Sequence, residues 1–187
     1  MAENKGLQLL RSRRTVRRFA EQDIGNDIVT SLLEAASVAP SRLDRRPLYF
    51  LVIRSSELKG KLAEALRVRP YLEQAPVVIT VLADPSLSST WELDGSAAIE
   101  NLLLAATALG LGAAWVGSKG SQLWEKALDV LRETAAVPAG MSVVSLVCVG
   151  HPAEEKAAYE AGEKLDATRV RYDHWDCLEL EQLAGHR

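Results

Sequence analysis

Four runs of consecutive apolar residues recur along the chain, and each has the length of a β-strand. They cover Leu48–Ile53, Pro76–Ala83, Ala113–Val116 and Met141–Val149. Because both faces of each run are apolar, the pattern predicts a sheet that is buried on both sides. A further extended stretch is predicted for Thr15–Phe19, after a short first helix around Leu7–Leu10.

Between these runs, apolar residues recur at helical spacing, which predicts amphipathic or buried helices. Four further helices are predicted. The first begins at an Asn26 or Asp27 cap and ends before Pro40, and the second runs from Glu57 to Leu66 after a Ser55 or Ser56 cap. The third runs from Leu93 to Leu109, and the fourth runs from a Ser121 cap to Arg132. Gly110 and Gly112 close the third helix, since glycine readily takes the positive φ found just past a helix end.

This alternation of strands and helices predicts an α/β or α+β layered fold. The sequence contains no repeats and no linker, so we expect one domain over residues 1–187. The polar tail 151–187, with a small amphipathic segment at Cys177–Leu183, is long for a compact monomer. We therefore expect this C-terminal extension to wrap a second subunit in a homodimer.

The composition of the chain disfavours several classes of binding partner. The 187 residues are 48% hydrophobic and 25% charged, with a net charge of −3, which gives no general attraction to nucleic acid or to anionic membranes. Two cysteines without a metal-ligand spacing argue against structural zinc. The longest apolar stretch, Ala97–Val116, is interrupted by polar residues and does not predict a membrane span. Since the N-terminus lacks an apolar targeting region, we expect a cytoplasmic protein.

Two short basic segments are candidate anion sites. In an extended chain, Arg13, Thr15 and Arg17 share a face, and their guanidinium and hydroxyl donors suit phosphate oxygens. Arg169 and Arg171 share a face in the same way near the other end of the chain. A solvated basic patch explains either segment equally well. Nucleic-acid binding is disfavoured, because the basic run has no interleaved aromatic residues and the chain is acidic overall.

Catalytic motifs based on side chains alone are not evident. The Gly110-Leu111-Gly112 sequence follows a predicted helix instead of a strand and lacks a third glycine, so it is not a dinucleotide fingerprint. Neither a Walker motif nor a Gly-x-Ser-x-Gly elbow is present, and the histidines lie in or next to the tail. An enzyme without evident acid–base residues is typical when a cofactor carries the chemistry.

Taken in order, five segments resemble the nitroreductase family of FMN-dependent oxidoreductases. They are Arg13-Arg14-Thr15-Val16-Arg17-Arg18-Phe19, Ala39–Phe50 with its Pro40-Ser41, Ala75-Pro76-Val77-Val78-Ile79, Gly110–Gly117 with its Trp115, and Arg169-Val170-Arg171 ahead of Trp175. The resemblance extends over about Leu7 to Trp175.

The resemblance implies an α+β sandwich with a central, mostly antiparallel sheet flanked by helices, and an arm-exchanged homodimer with FMN at the interface. One subunit would hold the FMN phosphate through Arg13, Arg14, Thr15, Arg17, Arg169 and Arg171, and would place Trp115, Val116, Gly117 and Ser118 beside the flavin ring. Pro40, Ser41, Asp44 and Arg46 of the other subunit would cover that ring.

The implied reaction is ping-pong. NADH or NADPH reduces FMN and leaves, and a small acceptor such as a quinone or nitroaromatic then takes the electrons in the same pocket. Dehalogenation and enone reduction occur on similar scaffolds, and a non-enzymatic flavin-binding protein is the contrasting class.

Two residues depart from the family pattern at the ring. Asp44 stands where the family has Asn, and Arg46 where it has Gln. An ionised carboxylate accepts hydrogen bonds but cannot donate them, so Asp44 can accept from the flavin N3–H only. Arg46 can donate to a ring carbonyl or pair with Asp44. We expect its positive charge to raise the flavin reduction potential.

Overall fold

The computed structural model describes residues 4–68, 70–117, 122–173 and 175. Its centre is a four-stranded sheet made of β1 (Leu48–Ile53), β2 (Val77–Ala83), β3 (Gly112–Val116) and β4 (Ser142–Gly150). The strand order is β1-β2-β4-β3, and every neighbouring pair is antiparallel. Every residue of β2 is buried, as the continuous apolar run predicts. The four predicted strands are confirmed, but burial on both faces does not hold for β1, an edge strand that is only partly buried and exposes Tyr49.

Six helices flank the sheet in the described part of the chain. They are α1 (Lys5–Ser12), α2 (Asn26–Ser37), α3 (Ser56–Leu66), α4 (Tyr71–Gln74), α5 (Trp91–Ala108) and α6 (Gln122–Ala135). One core cluster joins α3, α4 and α6 to one face of the sheet, and the other joins α2 and α5 to the opposite face. The fold is therefore an α+β sandwich, as predicted.

Local differences from the predicted helices have simple causes. The cap of α2 is Gly25, without a side-chain hydrogen bond, so the prediction of Asn26 or Asp27 is wrong. The side chain of Asn26 instead accepts a hydrogen bond from Arg54 at 3.1 Å. Ser55 caps α3 as predicted, because its hydroxyl oxygen accepts from the amide of Leu58 at 3.3 Å. The predicted Ser121 cap and the segment Cys177–Leu183 lie outside the described residues.

The N-terminal and C-terminal segments pack side by side beyond β3. Thr15 forms a parallel bridge with Ala113, and Phe19 forms an antiparallel bridge with Pro152, so the predicted extended stretch is confirmed. Residues 152–159 then run back along residues 11–18 of the same chain. The first part of the C-terminal extension is thus internal to the protomer. The predicted exchange of an arm stays a prediction, and it concerns residues further along.

Among the described residues, no helix is both long and apolar enough to cross a bilayer.

Candidate functional site

Residues 13–17, the arginine segment, lie along the free edge of β3. The amide of Val16 donates to the carbonyl of Ala113 at 2.9 Å, and the Val16 side chain is buried. Since side chains alternate along an extended chain, Thr15 and Arg17 point away from this core. The edge position also brings the segment level with Trp115, whose side chain is 39% exposed. The structure therefore joins the first predicted basic motif to the predicted ring-side segment.

The guanidinium groups of the arginine segment have different partners. Arg13 forms a long ion pair with Glu100 at 3.6 Å. Arg17 lies over the ring of Tyr71, 5.9 Å from its centroid. Burial raises the pKa of the Tyr71 phenol, while the nearby Arg17 charge opposes that shift. Tyr71 therefore stays neutral at physiological pH and presents a hydroxyl at this edge.

Arg14 differs from its neighbours because its side chain turns to the C-terminal segment. Its guanidinium donates to the carbonyl of Ala157 and lies 4.3 Å from the ring centroid of Tyr159.

The second basic motif is not joined to the first by its contacts. Arg169 pairs with Asp166 at 3.1 Å and is 86% exposed. Arg171 donates to the carbonyls of Thr168 and Val170 at 2.6 and 2.9 Å, and lies over the Trp175 ring. Both guanidiniums are therefore engaged within their own segment. A clamp built from both ends of the chain stays a prediction.

The end of β3 is rigid. Ser145 donates from its buried hydroxyl to the Val116 carbonyl at 2.6 Å. Gly117 has a φ of +113°, and a Cβ at this position would lie 2.2 Å from the ring of the buried Trp124. Both observations require glycine here. Trp115, Val116 and Gly117 therefore form a fixed backbone edge, while Ser118 lies outside the described residues.

Residues 40–46, the Pro-Ser loop, connect α2 to β1. Leu43, Asp44 and Arg46 all have positive φ, which concentrates backbone strain in this loop. The Ser41 hydroxyl accepts from the Arg46 amide at 3.1 Å. Pro40, Ser41, Arg46 and residues of α2 and β1 line a cavity of about 230 Å³. Strain of this kind is common where a loop serves a ligand.

Asp44 and Arg46 form a two-pronged ion pair. The Arg46 Nε and one terminal nitrogen donate to the two Asp44 carboxylate oxygens at 2.8 and 3.0 Å. The hydrogen bonds from Arg46 hold the pKa of Asp44 below its ordinary value. Both side chains are about three-quarters exposed, at 76% and 74%, so the pair is accessible to a ligand. In this structure Arg46 therefore takes the second role open to it from the sequence, the pairing with Asp44.

A buried carboxylate that the sequence analysis did not single out anchors this loop. Asp94, on α5, accepts from the Arg42 amide at 3.2 Å and from the hydroxyls of Ser88 and Thr90 at 2.7 and 3.3 Å. A buried carboxylate needs such donors to offset its lost hydration. Glu92 lies in the same first turn of α5, so residue type alone gave no signal that Asp94 is the buried carboxylate.

The Pro-Ser loop and the β3 edge lie at one end of the sheet but at opposite edges. β3 runs towards the end of the sheet at which β1 begins. Val116 pairs with Leu146, Leu146 with Thr80, and Thr80 with Leu51, so β3 ends three residues short of the level of Leu48. However, β1 and β3 are the two edge strands. Three strand spacings separate them, about 14 Å. One chain therefore presents two separate half-sites.

One face of α5 lacks cover in the single chain. Leu93 is 70% exposed and Ala108 is exposed, while Ala97 and Leu104 between them are half-buried. Their spacing places all four on one side of the helix. Glu100, which pairs with Arg13, is exposed on the same side, so the face is apolar apart from this carboxylate. Exposed apolar residues grouped on one helix face are typical of a protein–protein contact.

Comparison with known proteins identifies the architecture. The sequence model of the nitroreductase family matches residues 10–70 and 68–151. This chain belongs to the nitroreductase family. As a member of that family, it is an oxidoreductase.

Individual nitroreductases agree with this assignment. A protein of Archaeoglobus fulgidus, named for NADH dehydrogenase and NAD(P)H nitroreductase, is 35% identical over 173 residues, which are 90% of this chain and 98% of that protein. The structure of an FMN-dependent nitroreductase from Clostridium difficile is 28% identical, has a TM-score of 0.83, and matches 90% of this chain and 99% of that one. A Bacteroides fragilis nitroreductase with bound FMN is 25% identical, with a TM-score of 0.71 and coverage of 92% and 100%.

Proposed function

We propose that this chain catalyses ping-pong electron transfer from NAD(P)H through FMN to a small acceptor such as a quinone or nitroaromatic, in a homodimer. The observation that carries the proposal is the placement of the arginine segment beside the Trp115–Gly117 edge of β3. Candidate phosphate donors and a backbone edge beside a candidate ring site then lie next to each other in one chain.

The donors of the arginine segment fit the chemistry of FMN. Among the described residues, Arg13 forms one long ion pair, Arg17 contacts a ring, and Thr15 points outward. Guanidinium and hydroxyl donors together match a phosphate dianion. When bound, FMN accepts a hydride from the nicotinamide and passes the electrons to the acceptor.

Each protein group has a definite role in this proposal. Arg13, Thr15 and Arg17 donate hydrogen bonds to the phosphate. The backbone of Trp115–Gly117 lies beside the ring and offers amide donors where negative charge develops on reduction. Arg169 and Arg171, once released from their local contacts, add to the phosphate site.

The Pro-Ser loop of the second subunit completes the pocket. A single chain cannot bring this loop to its own β3 edge, because two strands lie between. A two-fold axis places the loop of each subunit on the site of the other. Pro40 and Ser41 then exclude water from one ring face, while Asp44 accepts from and Arg46 donates to the ring edge. The uncovered face of α5 supplies an apolar surface for such a dimer.

The direct test is an absorbance spectrum of the purified protein followed by anaerobic titration with NADH and NADPH. A flavin spectrum that bleaches with either nicotinamide supports the proposal. A flavin spectrum that neither nicotinamide bleaches indicates a flavin-binding protein without this activity. Light scattering of the same sample measures the oligomeric state, and a monomer that holds FMN would contradict the shared site.

The phosphate assignment has a matched pair of variants. Arg13→Ala should lose FMN on dialysis, because it removes a donor that faces the ligand. Arg18→Ala removes the same charge from the next exposed arginine outside the segment and should retain FMN. Equal retention by both variants would show that Arg13 does not bind the phosphate.

A further inference from the structure

Residues 152–165, here named the strap, cross the outer side of the arginine segment. The Ala153 amide donates to the Arg18 carbonyl at 2.8 Å, and the Tyr159 amide donates to the Arg11 carbonyl at 3.0 Å. These two bonds fix the strap at both ends of the arginine segment. Residues 153–159 of the strap therefore run antiparallel to the arginine segment.

Between these two bonds, strap side chains form hydrogen bonds with backbone groups of the arginine segment. Lys156 donates from Nζ to the Thr15 carbonyl at 2.5 Å. The Glu154 carboxylate accepts from the amides of Arg17 and Arg18 at 2.6 and 3.2 Å. One edge of the segment pairs with β3, so its outer edge would otherwise present unpaired polar groups. The strap thus holds the backbone conformation from which Thr15 and Arg17 project.

Arg14 is the side chain through which the arginine segment holds the strap in return. Besides the Ala157 carbonyl and the Tyr159 ring, its surroundings include Lys164, whose ammonium lies 4.7 Å from the same ring centroid. Two cations therefore share one aromatic ring, and both favour its present position. If Arg14 turned to a phosphate, Tyr159 and Ala157 would lose their main side-chain contact with the segment.

We propose that Arg14 is a positioning residue: it fastens the strap through Tyr159 and Ala157, and the strap orders the phosphate-binding face of Arg13, Thr15 and Arg17. Arg14 itself does not bind the phosphate. The inference rests on the proposed FMN binding and changes the role of one residue that the family resemblance places among the cofactor ligands. It also makes Tyr159, which lies outside the proposed ligand set, a determinant of FMN affinity.

A double-mutant cycle on the apoprotein tests this role through the FMN dissociation constant, measured by fluorescence quenching. Arg14→Leu and Tyr159→Leu should each weaken binding by roughly fivefold, and the double variant should be weakened by less than the product of the two effects, because both changes break the Arg14–Tyr159 contact. Tyr159→Phe keeps the ring and should bind as the unchanged protein does. Unchanged affinity in Tyr159→Leu would overturn the proposal, and so would multiplication of the two single effects in the double variant.

Salt dependence separates a positioning role from a direct phosphate contact. Removing a charge that touches the phosphate flattens the dependence of FMN affinity on ionic strength. Arg14→Leu should therefore keep the salt dependence of the unchanged protein, while Arg13→Ala should flatten it. Flattening of similar size in both variants would make Arg14 a phosphate ligand and refute the proposal.

Limited trypsin digestion of the apoprotein reports on the strap without FMN. Lys156 and Lys164 are potential cleavage sites within it. Arg14→Leu and Tyr159→Leu should be cut there faster than the unchanged protein, and Tyr159→Phe should not. Equal cutting of all four proteins would contradict the fastening role. Failure of the unchanged protein to bind FMN would overturn the proposed function, and the digestion would still test the fastening.

Discussion

Gly112 controls how closely the arginine segment approaches β3. A Cβ at this position would lie 2.6 Å from Val16 Cγ1 and 2.7 Å from Val16 Cβ. Valine is short and β-branched, so its side chain cannot turn aside. In Gly112→Ala, the backbone of the arginine segment must therefore move away from the strand.

The expected cost of Gly112→Ala follows from this displacement. Forcing an extra methyl group into a packed contact costs about 1–3 kcal/mol. Weakening the 2.9 Å bond from the Val16 amide to the Ala113 carbonyl adds about 1 kcal/mol. The total is about 2–4 kcal/mol, which lowers Tm by roughly 2–4 °C per kcal/mol in a chain of this size.

FMN binding should weaken together with stability. Hydrogen bonds to charged groups contribute about 1.5–3 kcal/mol, so misplacing one phosphate donor reduces affinity by about tenfold or more. Urea unfolding of the apoprotein and a flavin fluorescence titration measure the two effects separately.

Gly110→Ala is the matched control. Gly110 has a φ of +72°, but no atom lies within 4 Å of the added Cβ. It therefore carries only the left-handed backbone cost of about 1–2 kcal/mol. Its FMN affinity should not change. The reasoning is refuted if Gly112→Ala is as stable as the unchanged protein and binds FMN equally well, or if both variants lose affinity to the same degree.

Three further predictions concern the Pro-Ser loop and the strap. Asp94→Ala should destabilise the protein by about 2–3 kcal/mol in urea unfolding, because three buried or half-buried donors lose their acceptor. In the flavin-loaded dimer, Arg46→Gln should lower the flavin reduction potential, because the negative charge of Asp44 is then no longer neutralised. Asp44→Asn should raise this potential, because the positive charge of Arg46 remains alone. Shifts of the same sign in potentiometry would contradict a pair beside the ring. Hydrogen bonds from the arginine-segment backbone lower the pKa of Glu154 below its ordinary 4.5. The ionised Glu154 therefore stabilises the folded protein fully above pH 4.5, and this stabilisation is lost as the pH falls through the lowered pKa. In thermal unfolding from pH 3 to 7, the Tm of the unchanged protein should fall more steeply at acid pH than the Tm of Glu154→Gln.

Local pattern was sufficient for the sheet and for most helices. The β2 run is buried on both faces, and its continuous apolar sequence already indicated this. Ser55 lies before a periodic helix and caps it. Very short elements, and helix caps whose side chains bind residues distant in sequence, were harder to predict. The four residues of α4 are too few to show a helical period, and the Asn26 side chain is drawn to Arg54 instead of its own helix.

The sequence predicted the separate segments of the candidate site but not the contacts between residues that are distant in sequence. Alternation along an extended chain predicted the outward direction of Thr15 and Arg17, which the buried Val16 supports. By contrast, Arg14 and Ala157 are 143 residues apart in sequence, and no local pattern links them. The anchoring of the Pro-Ser loop by Asp94 likewise depends on a contact across 52 residues.

The proposed shared site would also link FMN affinity to dimer formation. Because β1 and β3 are opposite edges of one sheet, the Pro-Ser loop would contribute to the proposed FMN site only when a second subunit is present. A ligand that binds the dimer more tightly than the monomer must stabilise the dimer by the same free energy. FMN affinity should therefore fall on dilution below the dimer dissociation constant, and apoprotein should dissociate at higher concentration than holoprotein. Placing a charge in the α5 face at its most exposed large apolar residue, as in Leu93→Glu, should produce both effects without adding a carboxylate one helical turn from Glu100, the partner of Arg13.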